Sequence, residues 1–65
     1  MDITVKGSTA DFTLASGDEA SAYRFGEGVI LATAAGGEWY DPAMSTLTPA
    51  EARLLGRELI RLADG

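Results

Sequence analysis

Sixty-five residues without a single Cys or His leave a chain with no disulfide and no imidazole or thiolate metal centre to brace it. Burial of apolar surface has to hold it together. A domain of this length buries only about 60% of the surface that its unfolded chain exposes. The sequence is therefore read as one domain over residues 1–65, with a partner subunit as the remaining source of extra stability.

Alternation of apolar and polar residues marks the early strands. Ile3 and Val5 flank Thr4, and Phe12 and Leu14 flank Thr13, so segments 2–6 and 10–15 each present one face to a core. Gly7-Ser8-Thr9 between them suits a hairpin. After the turn Ser16–Glu19, segment 21–25 places Tyr23 and Phe25 on one face, and Gly26-Glu27-Gly28 reverses the chain. Segment 29–34, Val-Ile-Leu-Ala-Thr-Ala, does not alternate, which is the pattern of a strand covered on both faces. Glu38-Trp39-Tyr40 is a candidate fifth strand, ended by Asp41-Pro42 because Pro cannot donate to a ladder.

The helix start is the sharpest local signal. Thr48-Pro49-Ala50-Glu51 is a T-x-x-E capping box with Pro at the first helical position, which predicts a helix over 49–63. At about 100° per residue, Ala52, Leu55, Gly56, Leu59, Leu62 and Ala63 share a stripe about 120° wide, the side that packs on a sheet. Gly56 in that stripe is costly in a helix and is expected to allow a close approach of helix to sheet. The fold class read from these elements is α+β, an antiparallel meander of four to five short strands with one amphipathic C-terminal helix on one face.

Catalytic chemistry has little to work with. Ser-His and Cys-His nucleophile pairs are excluded by composition. The close carboxylates Asp18-Glu19 and Glu38/Asp41 sit in or beside turns and lack calcium-loop spacing. Gly26-x-Gly28 precedes a strand instead of a helix, so it cannot seat a phosphate at a helix N-terminus. No catalytic, cofactor-binding or metal-binding residue is assigned, and no enzyme activity is expected.

Ten acidic residues against five basic ones give a net charge of −5, which disfavours nucleic acid and anionic lipid. Within the helix, Arg53, Arg57 and Arg61 recur every four residues as a basic ridge. That ridge carries an alternative reading as a nucleic-acid contact, although no aromatic residue interleaves to stack bases. The start Met1-Asp2-Ile3-Thr4-Val5-Lys6 has no basic-then-apolar leader pattern, and no apolar run reaches membrane-spanning length. Cytoplasmic location is the expectation.

Contact with another protein is the stronger expectation. With Tyr23, Phe25, Leu31 and the helix stripe taken as the core, Ala22, Ile30, Ala32 and Ala34 fall on the outer face, where small residues let another sheet approach. Leu54 and Ile60 flank the arginine ridge outside the core stripe. Trp39, Tyr40 and Met44 gather aromatic and thioether side chains of the kind enriched at interfaces; folding over the end of a small core is the other reading of that loop. These residues give a candidate interface of a homo-oligomer, most simply a dimer, that also engages a host or partner protein.

The segment Leu47-Thr48-Pro49-Ala50-Glu51-Ala52-Arg53-Leu54-Leu55, continuing through Leu59-Ile60-Arg61-Leu62-Ala63-Asp64, resembles the helix that ends many small uncharacterised strand-plus-helix proteins of actinobacteria and their phages. The resemblance covers residues 47–64. It implies a bacterial or phage origin and a cytoplasmic setting, and brings no catalytic residues with it.

Overall fold

A computed structural model describes all of residues 1–65. In chain order the elements are β1 (Asp2–Lys6), β2 (Thr9–Thr13), β3 (Glu19–Phe25), β4 (Gly28–Ala34), a 3₁₀ turn (Ala35–Gly37), β5 (Ala43–Leu47) and α1 (Pro49–Asp64). The strands form one antiparallel sheet in the order β1-β2-β3-β4-β5. This is the α+β meander with a C-terminal helix that the alternation and the capping box predict.

Two-residue hairpins join β1 to β2 and β3 to β4, since Lys6 pairs with Thr9 and Phe25 with Gly28. In each, the first loop residue is a glycine with positive φ, Gly7 at 60° and Gly26 at 59°. Ser8 and Glu27 follow with negative φ. That order matches the II′ turn, whose twist agrees with that of the flanking strands.

The second hairpin corrects the expected core. A three-residue Gly26–Gly28 loop puts Tyr23 beside Leu31, but Gly28 belongs to β4. The register is instead Tyr23↔Ile30 and Ala22↔Leu31. Opposed residues of an antiparallel pair share a face, so one residue of loop length turns every side chain over. The first face, under the helix, thus carries Phe12, Ala20, Ala22, Val29 and Leu31. Tyr23, Phe25, Ile30, Ala32 and Ala34 lie on the second face. Gly28 is required in the strand because a Cβ there would meet the Leu47 carbonyl oxygen at 2.8 Å.

The fifth strand also lies later than expected. Glu38 to Tyr40 is irregular and turn structure, and the strand is Ala43–Leu47. Pro42, read as the end of a strand, immediately precedes one; a missing N–H is as well tolerated before an edge strand as after it.

Helix α1 begins as its capping box requires. The Glu51 N–H donates to Thr48 Oγ1 at 3.1 Å, and the Thr48 N–H donates to Glu51 Oε1 at 2.8 Å. Hydrogen bonding from Thr48 to the carboxyl, from its backbone N–H first and its side chain second, holds Glu51 below its ordinary pKa. At the other end the Gly65 N–H donates to the Arg61 carbonyl at 2.9 Å.

Only Ala32 and Ala34 are fully buried, at 3% and 1% exposure, and a tied-down loop lies next to them in the chain. The Gly36 N–H donates to Asp18 Oδ1 at 2.8 Å, and Trp39 Nε1–H donates to Glu19 Oε1 at 3.2 Å. Glu19 pairs with Ala34 and shares its face, so the segment 35–39 is fastened over that end of the second face. The unbroken apolar run of β4 therefore records a strand with the helix on one side and a tied-down loop on the other.

Candidate interaction surface

Helix α1 meets the sheet mainly along β4 and β5. Toward β2 the two layers diverge, leaving a groove of about 330 Å³. Phe12, Leu14, Ala20 and Leu31 contribute to its floor, and Ala52, Leu55, Gly56 and Leu59 line its helix side. All the lining residues are apolar side chains apart from Gly56, which offers none. Such a groove binds by excluding water; it holds no group able to move a proton or grip an ion.

Gly56 corrects a second expectation. A Cβ at this position would have no atom within 4 Å. The helix does not come close to the sheet here, so close approach is not why the glycine is present.

Beyond the groove the same face continues outward uncovered. Ile3 pairs with Phe12 and Val5 with Ala10, which puts both β1 residues on the helix side of the sheet. They are nevertheless 52% and 71% exposed, because α1 does not reach over them. Leu59 is 58% exposed, and Leu62 follows it on the same stripe, also exposed. The molecule's accessible surface is 4979 Å², against about 3,950 Å² for a compact monomer of 6.8 kDa. The excess of about 1,000 Å² is close to the roughly 800 Å² that each partner contributes to a standard protein interface.

The interface residues chosen from sequence divide among separate places. Ala32 and Ala34 are removed from it, because both are already buried within the single chain. Ile30 is half-buried on the second face, and Met44 is exposed opposite Ala32 on that face. Trp39 and Tyr40 sit in the loop, where the Tyr40 hydroxyl donates to Glu38 Oε2 at 2.9 Å. Trp39 is fastened to Glu19 yet remains partly exposed, and Tyr40 is open to solvent. Leu54 and Ile60 are exposed on the helix, away from the groove. The residues read from sequence thus form no single patch, and they omit Ile3, Val5, Phe12, Leu59 and Leu62, apolar side chains on the groove side that are exposed or, for Phe12, half-buried. The alternation of the first two strands is the signal for that side, but alternation alone does not say how far the helix reaches across the sheet.

The arginine ridge is only partly free. Arg61 Nε donates to Glu58 Oε2 at 2.6 Å in an exposed i,i+3 ion pair, which leaves Arg53 and Arg57 without such a partner on a chain of net charge −5. No three His, Cys, Asp or Glu side chains converge in a metal-holding group. No helix is long and apolar enough to cross a membrane.

Comparison with protein-family models, curated proteins and solved structures finds no match.

Proposed function

We propose that the protein is a non-enzymatic interaction module that works as a homo-oligomer, most simply a dimer, in the cytoplasm of a bacterium or of a cell infected by its phage. The observation that carries this reading is the open apolar groove between α1 and β2, with Ile3, Val5 and Leu59 exposed around it. A chain of this size with only two buried side chains has left most of its hydrophobic gain unrealised. A second copy burying the same area supplies the missing core, and an isologous contact closes after two chains instead of growing into a fibre.

Leu59→Glu tests the reading. Leu59 is already 58% exposed, so a carboxylate there is tolerated by an isolated subunit but not inside a dry contact. Sedimentation equilibrium is expected to show dissociation to single chains, with a shift of tenfold or more in the midpoint concentration. An unchanged mass distribution would exclude the groove as the contact.

A further inference from the structure

We infer that the second copy joins edge to edge at β1, antiparallel and centred on Thr4, so that two five-stranded sheets become one. The inference rests on the homo-oligomer reading above and specifies where and in what register the two chains meet.

The sheet has two edges, and they differ. β5 is bracketed by Pro42 and Pro49, and proline is a usual device that keeps an edge from pairing. All five residues of β1 and four of the five of β5 are exposed, but β1 has no proline beside it.

Backbone direction on β1 follows from its hairpin. Lys6 and Thr9 close a two-residue loop, and the closing pair of such a loop is hydrogen-bonded. By alternation Lys6, Thr4 and Asp2 direct their N–H and C=O groups to β2, whereas Ile3 and Val5 direct theirs outward. An antiparallel copy can use those groups only in registers that place odd-numbered residues opposite odd-numbered ones. Of these, the one centred on Thr4 is the register that pairs all five residues of both strands. It sets Ile3 against Val5 of the second copy in hydrogen-bonded pairs and Thr4 against Thr4 in the closer, non-hydrogen-bonded pair.

Charge selects the same arrangement. With Thr4 at the two-fold axis, Asp2 lies opposite Lys6 of the other copy at both ends of the joint. A parallel pairing stacks Asp2 on Asp2 and Lys6 on Lys6, and like charges directly opposite are destabilising. On the helix side, Ile3 and Val5 of both copies bridge the two groove floors. Both helices then stand on one face of a continuous sheet.

Thr4→Cys is the decisive variant, because the chain has no other cysteine. Opposed Cα atoms in a non-hydrogen-bonded pair lie about 4.5 Å apart, within disulfide range. Mild oxidation is expected to convert most of the Thr4→Cys protein to a covalent dimer, whereas Thr9→Cys, on β2, is expected to stay uncrosslinked. Val5→Pro removes an outward N–H that β2 does not use; it is expected to retain the circular dichroism of the fold and to lose association. Lys6→Glu is expected to weaken association, and the double swap Asp2→Lys with Lys6→Asp to restore it. If the wild-type protein dimerises in solution but Thr4→Cys does not crosslink and Val5→Pro still associates, the edge joint is wrong while the homo-oligomer reading stands. If the wild type remains a single chain, both fall together.

Discussion

At the residue scale, two glycines with opposite surroundings make opposite forecasts. Gly56 faces open space, so Gly56→Ala gains helix propensity without a clash. It is expected to raise stability by about 0.5–1 kcal/mol in urea unfolding, and a loss would mean that something fills the space beside it. Gly28 has no such freedom. Its alanine variant must push back the Leu47 carbonyl, at an expected cost of about 1–3 kcal/mol, measured in the same way. Neither environment is legible in the sequence, where Gly56 reads as a tight contact and Gly28 as the end of a loop. Loop length is what the sequence leaves open: Gly26-Glu27-Gly28 supports a two-residue or a three-residue turn, and the choice decides whether Tyr23 or Ala22 shares a face with Leu31.

At the scale of elements, those with strong local chemistry were legible and those defined by pairing were less so. The capping box located the start of α1 because its reciprocal hydrogen bonds need only residues 48–51. β5 lies later than the sequence predicts, because Trp39 and Tyr40 have higher strand propensity than Ala43 to Leu47, whereas Trp39 is tied to Glu19 in a loop. The cap also makes a pH forecast. The Glu51 carboxyl has its pKa lowered in the folded state, so its contribution is present above the ordinary glutamate value and is lost as pH falls through the folded one. Glu51→Gln keeps an acceptor but does not titrate. Between about pH 5 and pH 3 the thermal midpoint, followed by helical circular dichroism, is expected to fall further in the wild type than in Glu51→Gln. Parallel profiles would show that the carboxylate's charge adds nothing to the cap.

At the scale of the whole molecule, the sheet and helix are complete as a topology and incomplete as a core. A short chain with neither Cys nor His raises the expectation of a partner. Where its apolar surface stays uncovered is not legible, since Ile3 and Val5 read as ordinary inward-facing strand residues until the helix is seen to stop short of them. Ala32 and Ala34 differ in the opposite direction: both are buried within the single chain, beside a loop held by Asp18 and Glu19, far from it in the chain. The account's central claim is that a second copy of this chain joins it on the β1 side of the sheet, where its apolar surface is uncovered. Multi-angle light scattering of the wild-type protein over a dilution series tests it most directly. The expected mass is twice the 6.8 kDa of one chain, falling toward the single-chain value only on dilution; a mass of 6.8 kDa held up to millimolar concentration would contradict it.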